Sequence, residues 1–202
     1  GVEVHAITSD LTASDGGESI SDAATLLDNR FVAFQGGTKA GSFDVEGSLA
    51  REWIKRPVNP NGKSNTEVLR PWINAMDVTR RPSDKWIIDF GWSMSEAEAS
   101  LFQEPFDYCK AIVWPERQLN RRDIYRLNWW RFAECRQGMW KALNGTSRFI
   151  ATPMVSKHRV FVWVEHPVWP SNLLNVIARD DDTTFGILHS RFHELWALRM
   201  GT

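Results

Sequence analysis

Arg148-Phe149-Ile150-Ala151-Thr152 and Arg159-Val160-Phe161-Val162-Trp163-Val164-Glu165 are two short runs rich in β-branched and aromatic residues, the composition of strands. Further β-type runs follow at Leu173–Ala178 and Thr183–Leu188, and helical spacing resumes from about Ser190 to Met200. Toward the N-terminus, Trp86-Ile87-Ile88-Asp89-Phe90 reads as a strand bounded by Asp84 and Gly91, and Arg30-Phe31-Val32-Ala33-Phe34 as another. Between them Val68, Leu69, Trp72, Ile73 and Met76 recur at helical intervals, which predicts a helix over Thr66–Asp77. Ser95, with Glu98 three residues on, forms a capping box for a helix whose apolar stripe is Leu101, Phe102, Phe106 and Cys109. Pro115 suits the first turn of a further helix, running with interruptions to about Leu143 and stopped by Asn144-Gly145. Strands and helices mix without a βαβ rhythm or an internal repeat. The predicted class is α+β: a mixed or largely antiparallel sheet with flanking helices, in one compact domain.

With 202 residues, 43% of them hydrophobic, the chain can bury a real core. Residues 1–29 are small, polar and acidic and read as an irregular lead-in to a domain over 30–202. The chain starts without Met, and Val2 to Ile7 alternates like the tail of a strand whose sheet lies elsewhere, so it reads as an excised piece. No run approaches the roughly 20 apolar residues of a membrane span, and nothing resembles a signal peptide. Cys109 and Cys135 lack metal or redox spacing and read as reduced thiols in a core.

Several motifs that would announce chemistry are absent or incomplete. Gly36-Gly37-Thr38-Lys39-Ala40-Gly41 fits no phosphate-cradling pattern, and the glycines read as a hairpin turn. Asn59-Pro60-Asn61-Gly62 lacks the second proline and the aromatic ring that hold a flipped base in amino-directed methyltransferases, and reads as a β-turn. His189 and His193 are four apart but have no evident third ligand, and Asp180-Asp181-Asp182 reads as a solvated turn between strands. No metal centre is expected. No Ser/His/Asp or Cys/His set stands at a recognisable spacing, so the chain is expected to be non-catalytic.

The net charge of −1 hides an uneven distribution. From Arg117 to Val160 there are ten Lys/Arg against Asp123 and Glu134 alone. Arg117, Arg121, Arg122, Arg126, Arg131, Arg136, Lys141 and Arg148 recur at about one helical turn, so several are expected to share a face that neutralises DNA phosphates. Eleven Trp exceed ordinary usage, and Trp129-Trp130 is the pair expected to place one ring in the core and one outside for base stacking.

Beyond these patterns, the sequence resembles the target-recognition region of MmeI-like type II restriction-modification DNA adenine methyltransferases. The resemblance runs from about Phe31 to the C-terminus. It is carried by Arg70-Pro71-Trp72-Ile73-Asn74, Asp77-Val78-Thr79-Arg80-Arg81-Pro82, Trp86 to Gly91, Asn128-Trp129-Trp130, Arg148 to Pro153 with Val155-Ser156-Lys157-His158, and Phe185 to Ser190 through Trp196. It implies a module that selects the DNA sequence, while a methyltransferase domain of the same parent chain binds S-adenosylmethionine and methylates adenine at N6. Residues 1–29 would then link to that domain, no cofactor would bind here, and the setting would be the bacterial cytoplasm. The resemblance also points to Lys157, His158 and Arg159 as base contacts, for which guanine acceptors are the natural partners. Arg117, Arg121, Arg122 and Arg126 are the expected phosphate contacts. The competing expectation is a protein-interaction module that docks on the methyltransferase body or an acidic partner.

Overall fold

A computed structural model of the chain describes residue 24 and residues 26–200. The reading of residues 1–23 and 25 as a lead-in lies outside the described residues. The strands are β1 (Ala33–Gln35), β2 (Asp44–Glu46), β3 (Leu69–Ile73), β4 (Lys85–Ile88), β5 (Arg148–Pro153), β6 (Val162–Glu165), β7 (Trp169–Pro170) and β8 (Leu174–Ile177). The helices are α1 (Gly47–Ile54), α2 (Ala75–Thr79), α3 (Glu96–Ala99), α4 (Gln103–Gln118), α5 (Asp123–Leu127), α6 (Gln137–Leu143), α7 (Asp182–His189) and α8 (Arg191–Met200). They form an α+β domain with two four-stranded sheets. One has the order β1-β8-β5-β6 and is antiparallel throughout; the other has the order β2-β4-β3-β7, with only β3 and β7 parallel.

Each sheet has its own core. Phe149, Ala151, Val164, Leu174 and Val176 of the first sheet pack with Met139 and Leu143 of α6. Ile150, on the opposite face of β5, is also fully buried. That face is covered by α7, whose Phe185 ring stacks on Trp163 at 4.7 Å, and Trp163 is the register partner of Ile150. The second core joins Leu69, Ile87 and Ile88 to Phe102, Phe106, Cys109 and Val113, and Trp140 touches both cores.

Three expectations about elements are corrected. Thr66–Asp77 is not one helix: β3 runs through it, and α2 starts afterwards at an Asn74–Asp77 capping box. Pro71 explains this, since a proline in a helix interior removes a hydrogen bond and clashes with the preceding turn. Thr183–Leu188 is helix α7 rather than a strand. Asp181 caps it by accepting from the Thr184 amide at 2.7 Å, so the aspartate run starts a helix instead of turning a hairpin. Gly36-Gly37 is not a hairpin turn, because β1 and β2 lie in different sheets. The two glycines instead let the backbone pass against Ser171 and the Trp169 ring. The Ser95–Glu98 capping box forms as read, and Asn59–Gly62 closes a turn through a 2.8 Å bond from the Gly62 amide to the Asn59 carbonyl.

Candidate nucleic-acid interface

The helix expected from Pro115 to about Leu143 is instead the end of α4, then α5 and α6; the basic stretch runs across all three. Its first arginine ends the buried stripe of α4, in which Phe106, Cys109, Val113 and Arg117 follow one another at spacings of three, four and four. Pro115 lies inside this helix and does not start a new one. Arg117 is 1% exposed; it donates to the Lys39 and Arg131 carbonyl oxygens at 2.8 and 3.0 Å. Its guanidinium lies over the Phe43 and Tyr125 rings, and Nε and Nη1 have no partner. Burial lowers its pKa, opposed by Tyr125 and Glu116. A side chain so enclosed is not presented to a phosphate, so the expectation for Arg117 is withdrawn.

The remaining arginines separate into free and engaged ones. Arg121 and Arg122 are exposed on the segment linking α4 to α5. Arg122 donates to the Tyr125 hydroxyl at 3.2 Å, and among the described residues Arg121 has neither a side-chain hydrogen bond nor an ion pair. Arg126 pairs with Asp123, and it donates to the Asn120 carbonyl at 3.0 Å. Arg131 is held by the Ser93 and Met94 carbonyls, Arg136 by Glu134, and Arg148 by Asp182 while stacking 3.8 Å over Trp163. Local partners thus engage much of the charge present in the sequence. Trp129 and Trp130 are both buried. Their indole N–H groups donate to the Glu96 carboxylate and the Met94 carbonyl at 3.2 and 3.0 Å. Neither ring is available for base stacking, which corrects the expectation of one inside and one outside.

Lys157, His158 and Arg159 lie in the exposed loop between β5 and β6, with Met154, Val155 and Ser156. The strands on either side pair in a fixed register from Arg148↔Glu165 to Ala151↔Val162, so the loop projects from a rigid base. Among the described residues the Lys157 and His158 side chains have no hydrogen-bond partner. Arg159 differs: it donates to the Leu188 carbonyl at 2.7 Å and contacts His193 Nδ1. Burial first, then the Arg159 charge, keep the His193 pKa below the ordinary histidine value. No hydrogen bond or ion pair among the described residues joins this loop to Arg121 and Arg122.

His189 and His193 fall on two different helices, and both rings meet Phe161 edge-on. Among the described residues no group of three or more His, Cys, Asp or Glu could hold a metal, and no helix is long and apolar enough to cross a membrane. Burial raises both thiol pKa values, that of Cys135 to about 11.

Two clefts lie beside these residues. One, of about 540 Å³, is lined by Arg117, Tyr125, Asn128, Arg131, Cys135 and Arg136 among others. The other, of about 430 Å³, has walls from Trp92, Trp140, Trp169 and Phe90, with Asp89 and Arg70 at its polar edge. Sequence reading passed over this second cleft. An acid followed by Phe90-Gly91 at the end of an apolar strand was its available signal.

No protein-family model matches the sequence, and no curated protein matches it. The fold is similar to part of the solved structure of the type IIL restriction-modification enzyme MmeI in complex with DNA. The two chains are 15% identical with a TM-score of 0.63, over 84% of this chain and 22% of that one. This chain thus shares an α+β fold with a portion of a restriction-modification enzyme and spans about a fifth of its length.

Proposed function

We propose that this chain is the sequence-reading DNA-binding module of an S-adenosylmethionine-dependent DNA adenine methyltransferase in a bacterial restriction-modification system. Methyl transfer would belong to a separate domain of the parent chain, and this module would be non-catalytic. The observation that carries the reading is the likeness, over most of this chain, to part of an enzyme solved with DNA. The open Lys157-His158 tip adds to it, because unengaged donors on a rigid hairpin suit base edges in a groove. Arg121 and Arg122 supply phosphate contacts, with Arg126 a weaker candidate because Asp123 already pairs with it.

The test is duplex binding by fluorescence anisotropy in rising salt. Phosphate contacts from Arg121 and Arg122 predict a log–log salt slope of about −2, which the double variant Arg121→Ala, Arg122→Ala removes. Selection from a random duplex pool should return a preferred sequence that Lys157→Ala alters. Absence of saturable duplex binding at low salt rejects the reading.

A second reading, docking on the methyltransferase body, is favoured by one feature: α8 leaves Phe192, Leu195, Trp196 and Leu198 exposed, Phe192 at 87%. The two readings are compatible if α8 faces the catalytic domain and the loop faces DNA.

A further inference from the structure

The cleft between Phe90 and Trp169 combines features that a purely structural cavity does not need. Asp89 places a carboxyl group there; burial raises its pKa, opposed by the Gly91 amide, the Trp169 indole and the Arg70 charge, and among the described residues no lysine or arginine forms an ion pair with it. One oxygen accepts from the Gly91 amide at 2.9 Å and the other from the Trp169 indole at 2.8 Å. A carboxylate offers about four lone-pair sites, so each oxygen retains acceptor capacity. Asp89 borders the cleft.

The walls are largely aromatic. Trp169 is 1% exposed and packs against Trp140, so the rings open to the cleft are the half-buried Trp140 and Trp92, which stands at the rim, 47% exposed. Across the cleft, Arg70 gives two N–H groups to the Thr66 and Glu67 carbonyls, and a guanidinium has five. The cleft therefore offers aromatic faces, a carboxylate acceptor, and remaining guanidinium donors. A planar heterocycle bearing an amine donor beside ring acceptors satisfies all three together. A quaternary ammonium would use the rings and Asp89 but meet the Arg70 charge.

We propose that this cleft binds a single nucleobase with an exocyclic amine, adenine or cytosine, its amine donating to Asp89 and its face against Trp92 and Trp140. The base comes either from a free nucleoside or from a duplex that has released it from the stack. The second source rests on the DNA-binding reading above; the first does not.

Intrinsic tryptophan fluorescence, titrated with adenosine, cytidine and thymidine, tests the cleft directly. Saturable quenching is expected with adenosine or cytidine, with thymidine at least about tenfold weaker. Asp89→Asn should erase that preference. Trp92→Ala, at an exposed position where the fold is not at risk, should weaken binding about tenfold. In a second arm, a duplex carrying fluorescent aminopurine opposite an abasic site should brighten on binding to the natural chain and not to Trp92→Ala. Nucleoside quenching without aminopurine brightening assigns the cleft to free nucleosides. Duplex binding with neither signal overturns the cleft proposal and leaves DNA recognition standing, whereas nucleoside binding without duplex binding does the reverse. Quenching by tetramethylammonium but by no nucleoside also overturns it.

Discussion

Arg159 donates from Nη1 to the Leu188 carbonyl oxygen at 2.7 Å, tying the β5–β6 loop to the C-terminal end of α7. A guanidinium at that end also meets the negative pole of the helix. Of the three proposed base contacts, Arg159 is thus the one already engaged within the protein, which makes it a brace for the other two. Arg159→Ala is expected to cost about 1 kcal/mol in stability and to speed amide hydrogen exchange over 154–160 and 188–193. Lys157→Ala should leave exchange unchanged while weakening duplex binding. Unchanged exchange in Arg159→Ala would remove the bracing role.

The contact between Arg159 and His193 adds a pH dependence. Burial and the Arg159 charge set the folded His193 pKa below its ordinary value of about 6.5. The unfolded chain then binds the proton more readily, so stability rises with pH across the window ending near 6.5 and falls on acidification through it. His166, lowered by burial, acts in the same sense. Asp89, whose pKa burial raises, acts in the opposite sense, so the histidine contribution is read by comparison: from pH 5 to 7 the denaturant midpoint of the natural chain should gain on that of His193→Gln.

Arg117 is predicted to matter for folding rather than for DNA. Its two carbonyl bonds hold the backbone at Lys39 and at Arg131 around the end of α4. Arg117→Ala removes these charge-assisted bonds and opens a cavity, at a cost of about 2–4 kcal/mol. The salt slope of duplex binding should be unaffected by Arg117→Met, which removes the charge while filling much of the volume. A reduced slope in that variant would show that the side chain reaches phosphate after all.

This arginine also marks how far the sequence was legible. Strands such as β4 and β5 and the Ser95 capping box were readable because their signals are local, in β-branched composition and in paired side chains. The α+β class followed from the same signals. Apolar spacing over Thr66–Asp77 predicts a helix that Pro71 forbids, and α7 has the composition of a strand although Phe185 and His189 are one helical turn apart, with rings 4.4 Å from each other. The arginine row misled for a different reason. Which arginines find carboxylates or carbonyls depends on segments distant in sequence, such as Met94 for Arg131 and Asp182 for Arg148. The Asp89 cleft was hidden likewise, since β3, β4, α6 and β7 meet only in the folded chain.

Two glycines give opposite predictions from the same substitution. At Gly37 an added Cβ would lie 1.5 Å from the Trp169 ring. That ring cannot retreat: it is 1% exposed, packed by Trp72, Phe132 and Trp140, and fixed through its indole N–H to Asp89. Gly37→Ala should therefore cost about 3 kcal/mol or more, as overpacking of an unyielding core does. At Gly186, inside α7, no atom lies within 4 Å of an added Cβ. Gly186→Ala should stabilise by about 0.5–1 kcal/mol, because alanine loses less backbone entropy on entering a helix. Urea denaturation of both variants measures the contrast. Equal effects would overturn the close passage of Gly36-Gly37 against Ser171 and the Trp169 ring.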